Sequence, residues 1–118
     1  MLSDVISKNG ITKEVNNLKR YYREYVRHCL AHYVTTLEVG SSPKFRTAVD
    51  KTNWLSCNEV AAKLDPDDLK LLRELYGTGD TIPDKIYQIS RSRRTSQSYL
   101  WSFVEDIEYK VAKARGLI

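Results

Sequence analysis

The sequence predicts an all-α protein: a long N-terminal helix, short connecting helices and a C-terminal helix-turn-helix. Three observations carry that expectation. Apolar residues recur in steps of three and four over two long stretches, the spacing of one buried helix face. Pro66 and Pro83 stand where helices open, at positions whose N–H groups have no intrahelical partner to lose. Gly40, Gly77 and Gly116 stand where helices end.

In the first stretch, from Thr12 to about Leu37, the stripe reads Val15, Leu18, Tyr22, Tyr25 or Val26, Cys29, Tyr33 and Leu37. Thr12 serves as N-cap and Gly40 as the stop, giving roughly seven turns. Lys19, Arg20, Arg23, Glu24 and Arg27 lie between the stripe positions and read as a solvated face. A helix of this length suits a partner copy, although its tyrosine-rich stripe is not the Leu/Ile seam of a strong coiled coil.

Gly40 through Asn53, with Ser41-Ser42-Pro43 as a helix stop, reads as a connecting loop. Trp54 and Leu55 precede Ser56-Cys57-Asn58-Glu59, whose spacing matches a capping box and predicts a short helix to about Leu64. Asp65-Pro66 opens the next helix, with Leu69, Leu72 and Leu75 or Tyr76 on its inner face and Gly77 at its end. A loop over 78–82 leads to a short helix starting at Pro83, in which Ile86 and Ile89 point inward. Ser90-Arg91-Ser92-Arg93-Arg94 reads as an arginine-rich turn. Thr95 or Ser96 then caps a final helix with Leu100, Phe103 or Val104, Ile107, Val111 and Ala114 inward and Gly116 as the stop. Lys110, Lys113 and Arg115 fall in its last turns, where cations complement the helix dipole. The chain divides on this reading into an N-terminal helix with linker, 1–53, and a helical unit, 54–118.

At 118 residues the chain is long enough for one modest core and short for two domains of ordinary size. A net charge of +4 permits an anionic partner without requiring one. Distribution is more informative: between Asp80 and Arg94 the positive excess falls at the proposed turn. Two cysteines make no disulfide framework, and no apolar run marks a signal peptide or membrane span, so a cytoplasmic, reduced setting is expected. His28 and His32 stand one helical turn apart beside Cys29, a spacing seen in zinc sites, but without the dense Cys/His cluster such sites carry. No metal or other cofactor is expected. Gly-rich phosphate loops, nucleophile elbows and paired metal-ligand motifs are absent, and no enzymatic activity is expected.

The function class therefore rests on the last third. With Leu100 at the centre of the buried stripe and about 100° per residue, Thr95, Ser98, Ser102, Glu105 and Tyr109 point outward, with Gln97 and Trp101 at the flanks. Thr95, Gln97, Ser98 and Ser102 are small or amide side chains able to hydrogen-bond base edges, and Gln pairs adenine in a bidentate manner. Arg91, Arg93 and Arg94 sit beside them, where a helix-turn-helix grips phosphate. Glu105 and Asp106 follow farther along, so docking by the helix's N-terminal end is expected.

From Asp65 to Ile118 the pattern resembles the region-4 helix-turn-helix of sigma factors and sigma-like regulators. Asp65-Pro66, Leu69-x-x-Leu72, Tyr76, Ile86-x-x-Ile89 and Thr95-Ser96-x-Ser98 occupy the corresponding features. With Ser41-Ser42-Pro43 after a tyrosine-rich first helix, the chain also looks like phage late-transcription activators of the RinA/ArpU type. The resemblance implies sequence-specific binding of double-stranded DNA by a phage or prophage transcription regulator. RNA polymerase, or a second subunit in a homodimer, would then be the partner of the first helix. The rival expectation is a helical protein-interaction or assembly module, such as a small-terminase-like packaging protein.

Overall fold

The computed structural model describes residues 20–40 and 43–118, which form five helices and no strand. They are α1 (Arg20–Val39), α2 (Ala48–Ala61), α3 (Pro66–Tyr76), α4 (Ile82–Arg93) and α5 (Gln97–Arg115). Thr12, Val15 and Leu18 of the expected first helix lie outside the described residues.

Two starts match caps read from sequence, at Asp65 and Ser96. Asp65 accepts the Asp68 amide at 2.8 Å, with Pro66 as the first helical residue. Ser96 accepts the Tyr99 amide at 3.1 Å ahead of α5, and Thr81, expected in the loop, caps α4 by accepting the Asp84 amide, so that helix starts at Ile82 rather than Pro83. Each satisfies an N-terminal amide that has no carbonyl within the helix.

Two further expectations are corrected. The segment 40–53 is not all loop, because α2 already starts at Ala48, capped by Thr47, whose Oγ1 accepts the Asp50 amide at 3.0 Å. Ser56 is accordingly no capping residue: it lies two turns inside α2, buried, and its hydroxyl donates to the Thr52 carbonyl at 2.8 Å. The exposed Val49, Lys51 and Thr52 hid the early start, since an exposed first turn carries no apolar stripe. Residues 53 and 54 both fall inside α2.

α1 packs on α2, α3 and α5, α2 lies along α5, and α4 bridges α3 and α5. One core joins Leu30 and Val34 of α1, Cys57 of α2, Leu72 and Leu75 of α3, Ile86 of α4, and Leu100, Val104 and Ile107 of α5. The buried face of α1 is Val26, Cys29, Leu30, Tyr33 and Val34, so the tyrosine-rich stripe is engaged within the chain. Tyr25 is turned outward instead, 37% exposed. At the α1–α2 seam the Tyr33 hydroxyl donates to Asn58 at 2.8 Å, the Trp54 indole N–H donates to Thr36 at 2.8 Å, and the two rings meet at 5.1 Å. Cys29 and Cys57 are buried free thiols, and burial pushes Cys57 up to about 12, out of reach of thiolate chemistry at neutral pH.

An isolated helix as short as α4 is marginal in water. Burial of Ile86 and Ile89, each worth roughly 1.5–3 kcal/mol, holds it on the core. The loop before it is pinned by buried Lys85, whose ammonium donates to the Gly77 and Thr78 carbonyls. Gly77 is needed there for close approach: a Cβ would fall 2.8 Å from the Arg73 carbonyl oxygen, which accepts the Gly77 amide at 3.0 Å.

Where α1, α3 and α5 meet, Glu108 of α5 is fully buried. Its Oε2 accepts from Arg27 Nε at 2.6 Å and from the Tyr76 hydroxyl at 2.8 Å, and Oε1 faces Arg23 Nε at 3.7 Å. Burial pushes the Glu108 carboxyl up, outweighing the opposing pull of Arg27, Tyr76 and Arg23. Burial and then the Glu108 carboxylate push the Tyr76 phenol well above its ordinary value.

Candidate nucleic-acid interface

The α4–α5 junction is shorter than the sequence suggests. Ser90 to Arg93, read as turn, instead complete the last turn of α4, leaving only Arg94, Thr95 and Ser96 between the helices. Arg94 takes the left-handed conformation, φ 54° and ψ 42°, and is the single non-glycine residue with positive φ among the described residues. Its amide donates to the Ser90 carbonyl, as does that of Thr95 at 3.1 Å, while the Ser90 hydroxyl donates back to the Thr95 carbonyl. Glycine is the residue that adopts this geometry without a Cβ penalty, so an arginine here carries backbone strain on the order of 1 kcal/mol.

The three arginines have different surroundings. Arg93 Nη2 donates to Glu74 of α3 at 2.8 Å and ties the end of α4 to its neighbour. Arg91 Nη1 donates to the Tyr87 hydroxyl at 2.8 Å, one turn back on α4. Its guanidinium carbon lies over the Tyr87 ring, 5.6 Å from the centroid. Both Arg91 and Tyr87 are exposed. Arg94 is exposed, and its side chain makes no hydrogen bond or ion pair among the described residues.

Of the expected base readers, Gln97, Ser98 and Ser102 are exposed on the first turns of α5, and their side chains have no protein partner among the described residues. Thr95 is half-buried and belongs to the turn, its hydroxyl 3.4 Å from the Arg93 carbonyl. Trp101 is half-buried and packs against the core, which accounts for a large ring on this helix. Tyr99, unremarked by sequence reasoning, is 52% exposed on the flank nearest α3.

Charges of both signs lie near this helix end. On the α3 side, Asp65, Asp67 and Asp68 line a shallow cleft with Arg93, Thr95 and Tyr99. Arg91 and Arg94, both exposed, do not line that cleft. An anion approaching the N-terminus of α5 is repelled by the aspartates and drawn to these two arginines. The acidic cluster was visible in sequence only as a cap and first turn of α3, since its closeness to Thr95 depends on tertiary packing.

His28 and His32 are exposed on α1, and no group of three or more His, Cys, Asp or Glu residues suited to a metal occurs among the described residues. No described helix is long and apolar enough to cross a membrane. No known protein family, curated protein or solved structure matches the chain.

Proposed function

We propose that the α4–α5 unit is a helix-turn-helix that binds double-stranded DNA through the N-terminal turns of α5, in the manner of a phage or prophage transcription regulator. The observation that carries this reading is the three-residue turn at left-handed Arg94. It brings α4 and α5 together at the short spacing such units use. It also leaves Arg94, Gln97, Ser98 and Ser102 exposed and their side chains without partners among the described residues. A stabilising choice at Arg94 is glycine, so a strained arginine there points to a task outside folding.

In this reading Arg91 and Arg94 grip phosphates, Gln97, Ser98 and Ser102 read base edges in the major groove, and Arg93 with Glu74 braces α4 against α3. Thr95 shapes the turn. The strand passes along Arg91 and Arg94 and not over Asp65, Asp67 and Asp68.

Duplex-DNA binding measured by fluorescence anisotropy across a salt series tests the proposal. The wild type is expected to bind with a steep log–log salt dependence, and Arg91→Ala/Arg94→Ala to lose affinity and flatten the slope by nearly one unit per phosphate contact removed. Equal binding and equal slope for both proteins would overturn the reading.

A further inference from the structure

Along one edge of α5 lie two separate hollows, each walled in part by residues from 59–68, and they are opposite in charge. At one end, Lys63, Lys110 and Lys113 surround a groove of about 450 Å³ also lined by Val60 and Leu64, with Glu59 in the lining and Asp106 paired to Lys110 at 2.8 Å. At the other, Asp65, Asp67 and Asp68 stand against a single base, Arg93, which Glu74 already engages. Along α5, Tyr99, Phe103, Asp106, Lys110 and Lys113 follow steps of three and four and so share this edge. Tyr99 is exposed and Phe103 half-buried, so the edge has apolar surface between its charged ends.

We infer that this edge is a self-complementary surface on which a second copy of the chain docks about a two-fold axis. The axis crosses α5 near residues 105 and 106, with the two α5 helices antiparallel. Such an axis lays the lysine end of each copy on the aspartate end of the other, which is the condition an isologous interface must meet. On α5 the ends are marked by Tyr99 and by Lys110 and Lys113, 11 to 14 residues away or about 16–21 Å at the helical rise. Asp106, nearest the axis and facing its own counterpart, already has its charge matched by Lys110 at 2.8 Å. The complementary chemistry for the lysine rim is present in this same chain, and the apolar part of its lining fits a protein surface better than a phosphate backbone. The inference is independent of DNA binding, because none of these residues is among the proposed DNA contacts.

Sedimentation velocity over roughly 1–200 μM of the full chain tests it, with circular dichroism to confirm folding. Wild type is expected to sediment as a dimer of the 13.7 kDa chain. Lys63→Glu/Lys113→Glu and Asp67→Lys/Asp68→Lys are each expected to be monomeric, since each now sets like charges against like at both contacts. Mixing the two variants restores opposite charges at both contacts, and a heterodimer is expected. Because misfolded variants cannot rescue one another, restoration separates interface loss from folding loss. A wild type that is monomeric throughout, or a dimer that survives both reversals, or a mixture that stays monomeric while both variants are folded, would overturn the inference. Duplex binding weakened more by Lys63→Glu/Lys113→Glu than by Arg91→Ala/Arg94→Ala would assign the lysine rim to nucleic acid and overturn it as well.

Discussion

The two ends of α5 treat arginine in opposite ways. Toward the C-terminal half, Arg23 and Arg27 converge on buried Glu108, Arg27 by a hydrogen bond and Arg23 by charge at 3.7 Å, and the Tyr76 hydroxyl donates a second hydrogen bond. At the N-terminus, Arg94 stands on a strained backbone beside Gln97, Ser98 and Ser102, with no side-chain partner among the described residues. Buried polar groups without partners cost free energy, so the first cluster answers the needs of the fold. Exposed ones cost little, and strain retained among them is unnecessary for stability. The contrast separates arginines that hold the protein together from those available to bind, and Arg93, paired with Glu74 at the surface, belongs with the first group.

The largest effect expected from this contrast is at Glu108. Glu108→Ala leaves Arg27 and Tyr76 without their acceptor and opens a void, so urea unfolding is expected to show a loss near the low end of roughly 3–5 kcal/mol, since Arg27 retains contact with water. A loss under about 1 kcal/mol would break the contrast. A finer form uses pH. Because the native state holds the Glu108 proton more tightly than the unfolded chain, with its ordinary value of 4.5, this group favours folding in full below that pH. Its contribution then declines as pH rises through the raised native value. The stability of wild type relative to Glu108→Gln is therefore expected to fall as pH rises above 4.5 in parallel urea titrations, and a rise would contradict the assigned direction. The smallest effect is at the other end: Arg94→Gly relieves the left-handed strain and is expected to raise stability by about 1 kcal/mol or less while weakening DNA binding. A variant that loses stability would remove the argument from strain.

Much of the fold is legible in sequence because its signals are local. Asp65-Pro66 and Ser96 cap helices through contacts three residues away, and the Leu100, Val104, Ile107 and Val111 stripe declares the buried face of α5. The start of α2 was hidden because its first turn is exposed, and Ser56-x-x-Glu59 imitates a cap within a helix. Ser90 to Arg93 read as turn because their side chains are polar, yet one face of α4 needed only Ile86 and Ile89. At the candidate interface, the exposure of Gln97, Ser98 and Ser102 follows from helical period alone. The commitment of Arg93 to Glu74 across 19 positions, the acidic cleft beside Thr95 and the burial of Glu108 with Arg27 across 81 positions are products of tertiary packing, which no local pattern encodes.

The most direct measurement is a backbone amide NMR titration of the isotope-labelled chain with duplex DNA. Shift changes are expected to concentrate at Arg91, Arg94, Gln97, Ser98 and Ser102, while Arg27, Tyr76 and Glu108 keep their free positions. Changes confined to other surfaces, or none at saturating duplex in low salt, would contradict the proposed interface.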